Sequence, residues 1–229
     1  ERGQSYLQES GFHQPVLEQG EQDPAVLAAS SGLSGAPADL LERFFRQYAA
    51  DARLLPMPAF EAASRASAYD PATLAQEFHA PMDAVLRRLS ALPSGTDHPP
   101  MGLVVCDSSG ATLFTKPVAG FSLPRVGGAC PLWPIFGAFS RPSQPSRVEV
   151  TMPSAQGPRF LCYTVAMPIA APEFDALPVL HSTMLVMPDP PQGSSTPLEV
   201  GVSCRICPRP SCASRREPAI GGVALQSVL

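Results

Sequence analysis

The sequence has no apolar run approaching the ~18 residues that a membrane-spanning helix requires, so no membrane partner is expected. Its six cysteines are too sparse, over 229 residues, for the disulfide framework of a secreted domain. Charged residues make up only 16% of the chain, and the formal net charge of −4 argues against nucleic acid as the main partner of this chain. These shortages together predict a cytoplasmic globular protein with reduced or metal-bound thiols.

The motifs of common enzyme classes are also missing. No His-Glu-x-x-His, Gly-x-Ser-x-Gly or phosphate-binding loop occurs, and the four histidines are scattered over positions 13, 79, 98 and 181. We therefore predict that the chain is not an enzyme. A zinc-dependent enzyme is the least favoured alternative, because it would need an open coordination position and a nearby base, and no such base is evident.

Proline is abundant, with 28 residues, which predicts many short elements. Residues 1–33 are polar and lack sustained periodicity, and we expect a poorly ordered segment there. Residues 34–93 carry apolar side chains at helical spacing, and the first amphipathic helix is predicted to end near Leu55-Pro56. Asp70-Pro71 predicts a helix N-terminus, and Ala80-Pro81 breaks that helix before a last one.

The last two helices of this region have a helix-turn-helix shape, but little suggests that they read DNA. Arg87 and Arg88 are the basic residues of the second helix, and Asp83 precedes them. A helix that reads the major groove needs polar contacts to bases and anchors to phosphates. A packed helical hairpin is the favoured interpretation.

After a linker at residues 93–100 the hydrophobic pattern changes to alternation, which predicts strands. The expected strands cover residues 101–107, 111–115, 147–152, 159–167 and 179–187, with a turn at Gln156-Gly157. Residues 133–139 are predicted to form a short helix. We therefore expect an α+β protein in which a helical region precedes an antiparallel sheet domain over residues 100–220.

The segment from Cys204 to Cys212 is the sharpest motif. Cys204 and Cys207 have the Cys-x2-Cys spacing that presents two thiolates to one tetrahedral ion, and Cys212 supplies a third. Cys130, after two glycines, is the preferred fourth ligand of a structural Zn²⁺ site, with His181 as the alternative. Free thiols or a redox disulfide remain open for these cysteines. The other two cysteines, Cys106 and Cys162, fit strand patterns and are expected in the core.

A second set of residues interleaves cations with aromatic rings, a combination that suits a nucleotide-like ligand. The alternative is that the aromatic residues belong to the core and the cations to the surface. The candidate ligand-binding residues are Lys116, Phe121, Arg125, Trp133, Phe139, Arg141 and Arg159.

These motifs, in their order, resemble the C-terminal part of the short-chain fatty acyl transcriptional regulators, the ScfR family. The residues of the helical region, 34–93, resemble the end of an ImmA/IrrE metallopeptidase-like region that lacks the zinc-binding motif, so proteolysis is not implied. The motifs that carry the resemblance are Gly127-Gly128-x-Cys130-Pro131-Leu132-Trp133 and Cys204-Arg205-x-Cys207-x-Arg209-x-x-Cys212-x-x-Arg215.

The resemblance implies a GAF-like ligand-sensing domain of a bacterial regulator that binds a short-chain acyl-CoA, with propionyl-CoA favoured. It also implies a homodimer that binds DNA through an N-terminal helix-turn-helix domain. That domain is absent from this chain, which we expect to be a fragment. A thiol redox sensor that uses Cys204 and Cys207 directly is the main alternative.

Overall fold

The computed structural model describes residues 2–93, 97–124, 128–153, 157–171, 173–188, 190 and 196–220. The chain divides into two compact units, residues 1–98 and residues 99–229. We call them the helical unit and the sheet unit. The division falls inside the predicted linker at residues 93–100. No helix among the described residues is long and apolar enough to cross a membrane.

The described helices of the helical unit follow the prolines closely, because proline suits the first turn of a helix and interrupts its interior. α4 ends next to Leu55-Pro56 as predicted, and Asp70 caps α6 by accepting a hydrogen bond from the Thr73 N–H at 3.0 Å. The bounds are α1 Arg2–Ser10, α2 Pro15–Glu18, α3 Pro24–Ser30, α4 Ala36–Leu54, α5 Met57–Ala66, α6 Pro71–Glu77 and α7 Met82–Ser90.

Residues 1–33 contradict the expected poorly ordered segment, because α1, α2 and α3 lie within them. The reason is a buried polar network that begins in α2. The Glu18 carboxylate pairs with the Arg88 guanidinium at 2.7 and 2.5 Å and accepts a hydrogen bond from the Tyr48 hydroxyl. The backbone N–H of Gln14 donates to the same hydroxyl at 3.1 Å. Contacts distant in sequence therefore order a segment whose own residues show no periodicity.

Arg88 is only 1% exposed, and its Nε also donates to the Leu55 carbonyl at 2.8 Å. Although burial by itself opposes ionisation, hydrogen bonds from Arg88 and Tyr48 hold the pKa of Glu18 below its ordinary value. Burial raises the pKa of Tyr48, and its hydrogen bond to Glu18 adds to that rise. The ion pair and the neutral phenol are thus the stable forms of this network.

Arg87 is also held within the helical unit. Its guanidinium forms two hydrogen bonds to Asp51, at 2.7 and 2.9 Å, and one to Asp83 at 2.6 Å. Burial alone would lower the pKa of Arg87, but these carboxylates outweigh it and raise that pKa. Both arginines of α7 therefore bind carboxylates of the helical unit itself, which agrees with the packed-hairpin interpretation of α6 and α7.

The sheet unit forms one sheet from its described strands, in the order β2-β1-β5-β4-β3-β6. All pairs are antiparallel except β3 with β6, which is parallel. The bounds are β1 Gly102–Asp107, β2 Thr112–Lys116, β3 Ser146–Thr151, β4 Arg159–Pro168, β5 Leu180–Pro188 and β6 Leu198–Glu199, with α8 at Pro134–Gly137. The predicted α+β class and the predicted strands β1 to β5 are confirmed, whereas β6 was not predicted. Gln156 of the predicted turn lies outside the described residues.

The two faces of this sheet carry different side chains. Residues opposite each other on neighbouring strands share a face, and successive residues alternate between faces. Val104, Met184 and Cys162 lie on the face that belongs to the core of the sheet unit, together with Trp133 and Phe121. Lys116 pairs with Leu103, next to Val104, and therefore lies on the opposite face.

Candidate metal and ligand sites

The four cysteines predicted as metal ligands come together in the sheet unit. Cys130, Cys204, Cys207 and Cys212 all line one narrow cavity, together with Arg215. Cys130, Cys204 and Cys207 are buried, and Cys212 is partly exposed. Residues 204–206 form a short 3₁₀ helix, which turns the chain between Cys204 and Cys207. His181, the alternative ligand, lies on β5 opposite Asp107 and Met167 and does not line this cavity.

The fold brings Cys130 to the C-terminal segment through backbone bonds. The Cys130 N–H donates to the Val202 carbonyl at 2.9 Å, and the Trp133 indole N–H donates to the Gly201 carbonyl at 2.7 Å. Trp133 is 2% exposed, so its ring packs in the core while its polar atom is satisfied. The Cys-Pro-Leu-Trp segment is therefore anchored at both ends to residues just before the Cys-x2-Cys turn.

Gly201 is a site residue that sequence analysis did not identify. Its N–H donates to Cys130 Sγ at 3.2 Å. A β-carbon added to Gly201 would stand 3.1 Å from Cys207 Sγ and 3.7 Å from Cys130 Sγ, so a side chain here would push on both sulfurs. A lone glycine after a strand gives no local signal of this role. Glycine is needed at this position because the backbone approaches the two sulfurs closely and leaves no room for a side chain.

The environment of the sulfurs is apolar but contains N–H donors. Burial raises the pKa of Cys130, and the neighbouring Cys204 and Cys207 raise it further, while N–H groups of Gly201 and Leu132 oppose the rise. The Arg216 N–H also donates to Cys204 Sγ, at 3.4 Å. Thiolates gathered here would repel one another unless a cation shared them. Hydrogen bonds to ligand atoms of this kind orient and tune the ligands of metal sites.

The donor set suits a soft ion, since zinc and iron–sulfur centres take four thiolates. Yet no group of three or more cysteine, histidine, aspartate or glutamate side chains within the described residues is spaced as a metal site. The cysteines thus line a common cavity without the spacing of a formed centre. Zinc ligation by Cys130, Cys204, Cys207 and Cys212 stays a prediction.

The other two cysteines behave as the sequence suggested. Cys106 and Cys162 lie on β1 and β4 in the core of the sheet unit. Burial raises the pKa of both thiols, that of Cys106 to about 12. Neither lines the cavity of the other four.

The predicted ligand-binding residues are not brought together. Phe121 packs against Trp133 and Phe160, with ring centroids 5.2 and 5.3 Å apart, inside the core, and Phe139 is partly buried beside it. Lys116 and Arg159 lie on the other face of the sheet, and Arg141 is exposed. Arg125 lies outside the described residues. Ligand binding by this set stays a prediction, and the described aromatic members occupy core positions, as in the alternative interpretation.

The two cations on the shared face differ in their surroundings. Burial lowers the pKa of Lys116 to about 8. Arg159 pairs with Glu149 at 2.5 Å, while its Nε is buried without a hydrogen-bond partner. A buried guanidinium N–H without an acceptor is costly, so a bound oxygen would satisfy it.

Comparison with known proteins places these features in a family. The family model "Short-chain fatty acyl coenzyme A regulator, C-terminal" matches residues 93–226. The chain is 29% identical to the HTH-type transcriptional regulator PrpR of Mycobacterium tuberculosis, over 86% of this chain and 43% of PrpR. It is 32% identical to the propionyl-CoA carboxylase regulator of Cereibacter sphaeroides, over 76% of this chain and 40% of that protein. The chain thus spans less than half the length of these curated relatives.

A solved structure has the same fold. A Mycobacterium tuberculosis transcriptional regulator superimposes with a TM-score of 0.72 at 25% identity, covering 91% of this chain and 67% of that one. PrpR and the solved structure are named as transcriptional regulators and the Cereibacter protein as a regulator, which supports the prediction that this chain is not an enzyme. Because the family model covers more than half of the sequence, the chain belongs to the short-chain fatty acyl coenzyme A regulator family.

Proposed function

We propose that the chain is the ligand-sensing part of a bacterial transcriptional regulator that binds a short-chain acyl-CoA and controls genes of acyl-CoA and propionate metabolism. The observation that carries this proposal is the family match over residues 93–226, which includes β1 to β6. Propionyl-CoA is the favoured ligand, because the name of one relative refers to propionyl-CoA carboxylase.

Lys116 is the proposed contact to a CoA phosphate; Arg159 lies on the same face of the sheet, but β1 and β5 separate their strands, so the two do not form one phosphate site. Guanidinium and ammonium groups bind phosphate oxygens through charge-assisted hydrogen bonds. A phosphate near Lys116 favours the charged ammonium and raises its pKa again from about 8. Ligand binding above pH 8 should therefore take up protons, which calorimetry in buffers of different ionisation enthalpy would measure.

The cysteine cavity is proposed to hold a structural zinc ion on Cys130, Cys204, Cys207 and Cys212. Such an ion would fix the Cys-Pro-Leu-Trp segment to the Cys-x2-Cys turn, which the bonds of Cys130 and Trp133 already connect. Four thiolates on Zn²⁺ make a closed site without an open position for catalysis. Its contribution is to folding and not to chemistry.

The remaining partners follow from the relatives. PrpR is named as a regulator of the HTH type, and we propose that DNA binding uses a helix-turn-helix domain N-terminal to the region present here. A homodimer in the cytoplasm would let acyl-CoA change the arrangement of two such domains, and so the affinity for DNA.

Titration calorimetry of this chain with propionyl-CoA, acetyl-CoA and free CoA tests the sensing role. One extra buried methylene contributes ~0.8 kcal/mol, so propionyl-CoA should bind about fourfold more tightly than acetyl-CoA. Free CoA, which lacks the acyl group, should bind more weakly than either. Equal and weak binding of all three would refute acyl sensing.

A thiol redox sensor is the second candidate, because Cys130, Cys204 and Cys207 are buried around one cavity as free thiols. Elemental analysis under reducing conditions separates the two. One tightly held zinc per chain that resists mild oxidant supports the structural site. A metal-free chain in which Cys204 and Cys207 oxidise reversibly supports redox sensing.

A further inference from the structure

Several arginines lie in the cysteine segment, and they differ in burial and in their partners. Arg205 and Arg216 are exposed, and Arg209 faces Glu199 with a nitrogen–oxygen distance of 3.4 Å. Arg215 is only 5% exposed and lines the cavity of the four cysteines. Arg209 also lines this cavity, but it pairs with the Glu199 carboxylate, whereas Arg215 pairs with no carboxylate among the described residues.

The Arg215 guanidinium holds the backbone of the cysteine segment. Its Nη1 donates to the Cys204 carbonyl at 3.0 Å, and its Nη2 donates to the carbonyls of Cys207 and Arg209 at 3.3 and 2.5 Å. The backbone N–H of Arg215 donates to the Cys212 carbonyl at 3.1 Å. The side chain and backbone of Arg215 together therefore contact the backbone of three of the four predicted ligands.

These hydrogen bonds to carbonyls do not neutralise the positive charge of the buried Arg215 guanidinium. None of the carboxylates in the described part of the chain forms an ion pair with Arg215; Glu217 pairs instead with Arg205, at 3.9 Å. The Arg215 Nε is buried and has no hydrogen-bond partner. Carbonyl dipoles compensate a buried cation only in part, and an uncompensated buried charge is costly.

We propose that Arg215 is the counter-charge of an anionic thiolate–metal centre in this cavity and donates its Nε–H to a coordinating sulfur. The inference rests on the proposed metal site. Four thiolates on a divalent cation carry a net negative charge, and the cavity already contains the cation that would balance it. Arg215 is thus a positioning residue that acts through the sulfurs. The exposed Arg205 and Arg216 contribute little to this balance.

The test measures coupling between Arg215 and zinc. Wild type, Arg215→Met and Arg215→Lys are stripped of metal under reducing conditions and titrated with zinc against a chromophoric chelator. Arg205→Met is the matched control, because that side chain is 56% exposed. Trp133 fluorescence reports unfolding of the sheet unit in the zinc-loaded and metal-free states of each variant.

Outer contacts of metal ligands typically change affinity about tenfold to a hundredfold. We expect Arg215→Met to lose zinc affinity in that range, Arg215→Lys to lose less because it keeps the charge, and Arg205→Met to bind within twofold of wild type. The rise in melting temperature that zinc produces should shrink in Arg215→Met. A residue that only supports the fold would lower both melting temperatures equally and leave this rise unchanged, which would overturn the proposal.

A measurement on the unmodified chain guards against a variant that does not fold. In arginine side-chain NMR, the Arg215 Nε–H signal should shift and exchange more slowly with water when zinc is added. An unchanged signal in zinc-loaded wild type would overturn the inference and leave the metal site standing. A wild-type chain that takes up no zinc would instead refute the proposed metal site itself.

Discussion

The two units of this molecule bury arginine in opposite ways. In the helical unit, Arg88 is 1% exposed and is fully matched by the Glu18 carboxylate and the Leu55 carbonyl. In the sheet unit, Arg215 is 5% exposed and is matched by carbonyls alone, with a free Nε–H. The helical unit thus satisfies its buried charge with its own carboxylates, whereas the described part of the sheet unit does not.

This difference separates a stabilising network from a binding site. A buried ion pair with complete hydrogen bonds offsets much of its desolvation cost, and removing one partner leaves an uncompensated buried charge. A buried cation that faces thiols, without a carboxylate, is stable only when something else supplies negative charge. The comparison therefore predicts that substitutions in the helical network change stability at once, whereas those in the sheet unit act mainly through a bound metal.

The largest effect is expected for Arg88→Met. Removing the guanidinium leaves the Glu18 carboxylate and the Leu55 carbonyl buried without their partner, and breaking such a pair costs about 3–5 kcal/mol. Urea unfolding followed by far-ultraviolet circular dichroism measures it, since the longer described helices lie in the helical unit. Arg46→Met is the control: its pair with Glu42 is exposed and should contribute less than about 0.5 kcal/mol. Equal effects of both substitutions would break the comparison.

Cys207→Ser should have the next largest effect, and only through metal. Loss of one ligand should abolish tight zinc binding, and with it the stabilisation of about 4 kcal/mol that free zinc at ~1,000 times its Kd would supply. Cys162→Ser is the matched control, a buried thiol outside the cavity. Elemental analysis should find zinc in the Cys162 variant and not in the Cys207 variant. A Cys207→Ser chain that still binds one zinc would exclude that residue as a ligand.

Acid should weaken the network of the helical unit. The pKa of Glu18 is lower in the folded chain than its ordinary value of 4.5, so the folded state binds this proton less tightly than the unfolded state. The stabilisation is therefore complete above pH 4.5 and is lost as the pH falls through the folded value. Wild type should exceed Glu18→Gln by about 2 kcal/mol at neutral pH, a charged hydrogen bond's usual contribution.

That gap should close on acidification, as urea unfolding at a series of pH values would show. A gap that stays constant down to pH 3 would mean that the Glu18 charge does not stabilise the helical unit, and the contrast between the units would lose its basis.

How much of this could be predicted from the sequence depends on the distance between the interacting residues. Local signals worked: alternation located β1 to β5, and Pro56 marked the end of α4. Cys-x2-Cys spacing correctly singled out residues that share a cavity. The prediction for residues 1–33 was wrong because their order depends on Tyr48 and Arg88, which are far away in the chain. The burial of Arg215 likewise cannot be recognised from the neighbouring sequence.

The candidate ligand set shows a second limit. Neighbouring residues of a strand point to opposite faces of the sheet, so a cation next to an aromatic ring in the sequence lies on the other face. The pairing of the strands decides which of the two faces the core. Arg159 and Phe160 are neighbours, yet Phe160 points into the core and Arg159 lies on the other face. Residues 1–33 do contain one local helix signal: Asp23-Pro24 repeats the Asp70-Pro71 pattern, and it too begins a helix.

These two aspartates give the smallest predicted effect. Asp23 accepts a hydrogen bond from the Ala25 N–H at 2.7 Å, and Asp70 accepts one from the Thr73 N–H at 3.0 Å; each caps a helix of seven residues. Replacing either by alanine should cost about 1 kcal/mol, the usual contribution of an N-cap, in urea unfolding of the helical unit. Replacing either by asparagine, which can still accept the bond, should cost less. If Asp23→Ala destabilised the helical unit as much as Arg88→Met, local capping rather than the buried ion pair would order residues 1–33, and the compensated charge would lose its assigned role there.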